Sequence, residues 1–274
     1  MIYNMPEYWL MKNAELTEPY LAFSSPSSFT LKVNDATKHW DGTLEYSTDA
    51  SAWSTWDGTT TLSSATSGSD NVLYLRGTGN TVITGYGQNY RWVLTGSGIA
   101  CIGNIENLLD YATVESGEHP EMATNCYRNM FRECTSLTQA PALPATTLKG
   151  YCYRGMFRDC TGLTQAPALP ATTLNICCYQ SMFEGCTGLT QAPALPATTL
   201  ADSCYVRMFQ GCTSLKLSTT QTGEYTVAYR IPTTGTGTTA SNALNDMFTG
   251  TGGTFTGAPE INTTYYLSNT NTVV

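Results

Sequence analysis

From residue 126 onward the apolar side chains recur at a fixed interval. Cys126, Met130 and Cys134 fall at i, i+4 and i+8, with Tyr127 and Phe131 beside them. Arg128, Asn129, Arg132 and Glu133 lie between. An apolar interval of four predicts one face of a helix with a wet face opposite. Leu137 begins a short extended piece, which Pro141 and Pro144 keep from continuing as helix. Thr146-Thr147-Leu148 then leads to the next unit. The phrase CYRNMFRECTSLTQAPALPATTL at 126–148 returns as CYRGMFRDCTGLTQAPALPATTL at 152–174 and CYQSMFEGCTGLTQAPALPATTL at 178–200, a period of 26. A fourth copy starts at Cys204 and departs after Leu215. No unit buries its apolar face alone, so the pattern predicts a solenoid of 26-residue helix/strand units stacked on one another.

The flanks are aperiodic. Phe29–Val33 and Leu44–Ser47 alternate apolar and polar, and Ser47-x-Asp49-x-Ser51-x-Trp53 reads as a hairpin turn with a packed Trp. Val72–Arg76, Thr81–Thr84 and Trp92–Leu94 continue the series. Short strands between turn signals predict a β-sandwich, immunoglobulin-like in kind. The expected class is therefore α+β. Its parts are an N-terminal docking arm at 1–16, a β-sandwich at 17–97 and the solenoid at 98–274. Within the solenoid the expected divisions are a cap at 98–125, repeats at 126–216, a hairpin insertion at 217–235 and a terminal repeat and cap at 236–274. Met247-Phe248 repeats Met208-Phe209 after 39 residues, one period plus a 13-residue insertion, and Tyr225, Val227 and Tyr229 alternate within that insertion as a strand would.

Charge narrows the function. Thirteen Lys+Arg stand against 21 Asp+Glu, giving −8, and charged residues are 12% of the chain. That balance offers duplex nucleic acid no basic footprint, so no nucleic-acid partner is expected. No run reaches the roughly 18–20 apolar residues of a spanning helix, so no membrane insertion is expected either. Met1–Asn13 lacks a basic n-region followed by an apolar h-region. The expectation is an extracellular protein whose signal was removed, or one that leaves the cell inside a phage particle.

The CYxxMFxxCTSLTQAPALPATTL unit resembles the BspA-like leucine-rich-repeat proteins of gut-bacterial surfaces and related phage tail proteins. LEYSTDASAWSTWDG and VLYLRGTGNTVITG resemble the β-domain preceding those repeats. GNIENLL resembles their lead-in, and TFTGAPEINTTYYLSN their ending. The resemblance covers about residues 20–270. It implies a right-handed leucine-rich-repeat solenoid and a role in adhesion or recognition, without enzymatic activity.

Candidate chemistry is sparse. Eight of the ten Cys sit at two repeat positions with C-x7-C spacing, which on a helix is too long for a disulfide or a zinc pair. They read as small buried hydrophobes. His39 and His119 have no Ser, Cys or carboxylate motif around them and read as structural or surface residues. No catalytic residue, cofactor or metal ligand is expected. The candidate ligand-binding residues are Thr138, Gln139, Thr164, Gln165, Thr190 and Gln191, which repeat along the concave strand side as neutral hydrogen-bonding groups. The competing face is convex, at Arg128, Arg132, Arg154 and Arg158, where the copies diverge. The expected function is recognition of a cell-surface glycan or protein, as a phage receptor-binding protein or a bacterial adhesin, with a homo-oligomer as one form. The alternatives are a structural virion component docked to other virion proteins through residues 1–16 and, weaker, a glycan-active enzyme.

Overall fold

The computed structural model describes residues 18–87 and 89–274. The docking arm expected at 1–16 lies outside them. The N-terminal strands are β1 (Leu21–Ser25), β2 (Thr30–Val33), β3 (Thr43–Ser47), β4 (Ser54–Thr55), β5 (Leu62–Ser63), β6 (Ala65–Ser67), β7 (Asp70–Thr78), β8 (Trp92–Thr95) and β9 (Ile99–Ile102). A single helix, α1 (Asn107–Glu115), follows. The remaining strands are β10 (Leu137–Gln139), β11 (Gln191–Ala192), β12 (Lys216–Ser218), β13 (Tyr225–Arg230), β14 (Gly252–Gly253), β15 (Thr264–Ser268) and β16 (Thr272–Val273).

The expected α+β class is therefore corrected. Among the described residues α1 is the one helix, nine residues long, and the fold is mostly β. The leucine-rich-repeat solenoid of helix/strand units does not form. What replaces each expected helix is a chain of tight turns. Every fourth residue is left-handed: Asn125, Asn129 and Glu133 in the first copy, then Tyr151, Gly155 and Asp159, then Cys177, Ser181 and Gly185, with φ between 52° and 74°. Ser203, Arg207 and Gly211 continue the series, and so do Asn242, Asp246 and Gly250. A right-handed helix cannot contain such residues.

The backbone hydrogen bonds show what forms instead. Alternate N–H groups turn back three residues, as Met130 N to Tyr127 O (3.2 Å) and Arg132 N to Asn129 O (3.0 Å). The others cross to the next copy: Tyr127 N to Cys152 O (2.8 Å), Asn129 N to Arg154 O (2.9 Å) and Phe131 N to Met156 O (2.9 Å). The copies are thus flat coils joined like strands, about 4.8 Å apart, not helices about 8–10 Å apart. An i, i+4 apolar pattern satisfies both geometries, which is why the periodicity misled. The copy-to-copy divergence at 129, 133 and 151 falls on left-handed positions.

Between the coils the repeated side chains superpose. Tyr127, Tyr153, Tyr179 and Tyr205 stack with ring centroids 5.6–5.9 Å apart. Phe131, Phe157, Phe183, Phe209 and Phe248 stack at 5.7–5.9 Å. Phe248 therefore continues the ladder across the insertion, at the place the 39-residue offset indicated. The strand expected in that insertion also exists, as β13. Its partner corrects the local hairpin: β13 pairs antiparallel with β15, Tyr229 opposite Tyr265, and β15 pairs in turn with β12.

The N-terminal strands make two sheets, ordered β10-β9-β1-β7-β3-β4 (with β6 on β7) and β5-β2-β8. The hairpin turn after β3 forms, with Asp49 Oδ1 accepting from the N–H of Ser51 and Ala52 at 2.9 Å. These sheets are not a self-contained immunoglobulin-like sandwich. β10 of the first coil joins β9 in parallel, and Trp92 N donates to Met130 O at 2.8 Å. Gly77 of β7 lies under α1, where a Cβ would stand 1.7 Å from Leu108 O, so only glycine fits. One core runs from Leu21 through every coil to Leu267.

Candidate functional site

The extended pieces between coils position the glutamines. Gln139 ends β10 and is opposite Ala100, and Gln165 and Gln191 pair in a parallel bridge. All three line one cleft of about 630 Å³. Its other walls are apolar, chiefly Ala140, Pro141, Leu143 and Pro167, with Val274 also on the lining. The prolines that stop the chain from coiling are thus the same residues that give the cleft a dry wall. A primary amide carries two donors and an acceptor. Three of them on rungs about 4.8 Å apart offer a neutral hydrogen-bonding row between apolar surfaces.

The threonines take a different part. Thr138, Thr164 and Thr190 are exposed, and none lines the cleft. Thr138 Oγ1 donates to Ile99 O (3.1 Å) and Thr190 Oγ1 to Thr164 O (3.2 Å), so these hydroxyls tie one rung to the one before it.

The four arginines do not form the wet helix face expected of them. Arg132 pairs with Glu133 (3.1 Å), and Arg158 with Glu184 (2.8 Å) and Asp159 (3.4 Å). Glu133 is shared with Arg91. Arg128 is buried, its guanidinium 5.1 Å from the Tyr86 ring. Arg154 lies 5.8 Å from the Tyr151 ring.

The ten cysteines are all free and buried. Cys160, Cys186 and Cys212 donate their thiols to the carbonyls of Phe131, Phe157 and Phe183 on the preceding coil, at 2.9–3.0 Å. Burial pushes Cys134 up to about 11 and Cys178 and Cys212 up to about 12. Thiols held protonated this firmly are packing groups, not nucleophiles. Among the described residues no group of three metal-ligating side chains comes together.

Both histidines do meet carboxylates, which sequence spacing did not reveal. His39 Nε2 lies 2.8 Å from Asp35 and stacks on Tyr90. His119 Nδ1 lies 2.7 Å from Glu106, whose buried carboxyl is raised by desolvation against the pull of the imidazole. The partner sits 13 residues away, across α1, so no local motif marks the pair. They line a second, smaller pocket of about 350 Å³ with Lys149.

The chain matches no protein-family model, no curated protein and no solved structure.

Proposed function

We propose that this is a non-catalytic recognition protein, carried outside the cell on a bacterial surface or a phage particle, that holds an extended uncharged glycan in the glutamine-lined cleft. The observation that carries this reading is the placement of Gln139, Gln165 and Gln191 on neighbouring rungs of one cleft with proline and alanine walls. Identical neutral donors and acceptors at one spacing match a ligand that repeats its own hydroxyls. Apolar walls beside them suit the C–H faces of sugar rings. The resemblance of the repeat unit to BspA-like surface proteins supports the same assignment. The test is binding of labelled protein to a panel of neutral polysaccharides and to intact bacteria. Replacing all three glutamines by alanine leaves the coil cores untouched and is expected to abolish binding of the neutral polysaccharides, and that interaction is expected to be insensitive to salt. Undiminished binding by the triple variant would reject the cleft as the site.

A further inference from the structure

The arginines of the coil stack fall into two sets. Arg132, Arg158 and Arg207 each have a carboxylate within 3.5 Å. Among the described residues none stands within salt-bridge distance of Arg128 or Arg154. These two occupy the same position on adjacent coils, and burial, with the charge of Arg154 added, works against the charge on Arg128. Arg128 is 3% exposed; among the described residues its Nε, like that of Arg132 and Arg158, has no hydrogen-bond partner, and its Nη1 reaches Asn125 Oδ1 at 3.3 Å. A desolvated guanidinium beside a second cation favours an anionic group against it.

The surroundings indicate which kind. Tyr86 is 78% exposed, sits between Gly85 and Gly87, and presents its ring to the Arg128 guanidinium at 5.1 Å. The half-buried Tyr151 ring lies 5.8 Å from the Arg154 guanidinium. Two phenol rings beside two guanidinium forks offer a flat apolar face next to a carboxylate receptor. The coil backbone offers an extended peptide little to pair with, because its N–H groups are already bonded within the coil or to the next one.

We propose that Arg128 and Arg154 together bind the carboxylate of an acidic sugar residue, with Tyr86 and Tyr151 against its ring. This deepens the recognition reading by naming a second, charged determinant, and it shares no residue with the cleft. The experiment is calorimetric titration of the whole chain with oligogalacturonate, sialyllactose, a neutral galactan oligomer and polyglutamate. An acidic sugar should bind, more weakly at high salt, and the neutral oligomer should not compete for that site. Arg154→Gln, at a half-buried position, should weaken acidic-sugar binding about tenfold or more, the loss of a charge-assisted contact. Tyr86→Ala, at an exposed one, should weaken it about two- to fivefold. Gln139→Ala/Gln165→Ala/Gln191→Ala should leave it unchanged. No binding of either acidic sugar, or binding indifferent to Arg154→Gln, overturns the proposal. Acidic-sugar binding lost in the glutamine variant but kept in Arg154→Gln overturns it too, while favouring the cleft. Polyglutamate bound as tightly, with the same arginine dependence, overturns the assignment to a sugar.

Discussion

The N-terminal sheets and the coil stack satisfy the same backbone and bury the same kinds of side chain by opposite means. In the sheets the central strands find partners far along the chain, as Leu21 opposite Leu75 in β1 and β7, and the core is an irregular packing of Trp40, Trp56 and Trp92. In the stack each coil bonds to the next copy, and one tyrosine, one phenylalanine and two thiols recur in each of the first four coils. The sheets depend on particular pairs and the stack on one pair many times over. Their ionisable groups differ as well. The sheets keep carboxylates in exposed turns, where Asp57 is held down at about 2 by the Thr59 hydroxyl and the N–H groups of Thr60 and Thr59. The stack keeps thiols and phenols inside, raised by burial.

That difference predicts opposite pH limits, the largest effect expected here. Cys134, Cys178 and Cys212 are raised from 9.0 to about 11–12, so their stabilisation is whole below about pH 9 and is lost as pH rises through their folded values. Each removes about 1.4 kcal/mol per pH unit in that interval, together several kcal/mol by about pH 11. Asp57 is lowered from 3.8, so its contribution is present above that value and is lost as pH falls toward about 2. All five Trp lie before residue 97 and nine of the ten Cys after residue 125. Trp emission should therefore move first on the acid side, and thiol reactivity should rise first on the alkaline side. Coincident changes in both probes at both ends would make the two regions one cooperative unit and break the comparison.

A smaller effect isolates a single rung. Phe157 is buried and stacks on both Phe131 and Phe183. Phe157→Ala should cost about 3–5 kcal/mol in urea unfolding, from lost transfer energy and the cavity left behind. A loss below about 1 kcal/mol would show that neighbouring coils close over a missing ring, a tolerance the sheets should not share. The smallest effect separates turn from helix by its sign. Ser203 has a φ of 55°, so Ser203→Gly should stabilise the protein by about 0.5–1 kcal/mol. In a helix the same change would destabilise.

The period, the buried residues and the continuation to Met247-Phe248 were legible because they depend only on which side chains recur. The helix was misread because four-residue turns and α-helices place the same residues inward. The discriminating signal was present: Asn125 with Asn129, Gly155 with Asp159, then Asn242, Asp246 and Gly250, residues suited to the left-handed region at four-residue spacing. A helix interior does not collect them. The glutamine row was legible for the same reason as the period. The burial of Arg128 under Tyr86 and the Glu106–His119 pair were not, since each joins segments with no local relation in sequence. β13 was readable from its alternation, but its pairing with β15 needed the whole chain to close.

The crossing hydrogen bonds have a consequence for how such a chain changes over generations. Each junction between coils is the same joint, and three copies carry an identical TQAPALPATTL block. Unequal recombination between those blocks deletes or inserts whole 26-residue units and leaves every remaining joint as it was. Each inserted unit adds a tyrosine and a phenylalanine to their ladders and a glutamine to the row along the cleft. The length of the glutamine row, and with it the length of glycan the proposed site would hold, is thereby set by copy number, adjustable in whole steps without redesigning any contact, while the aperiodic sheets offer no such register for exchange.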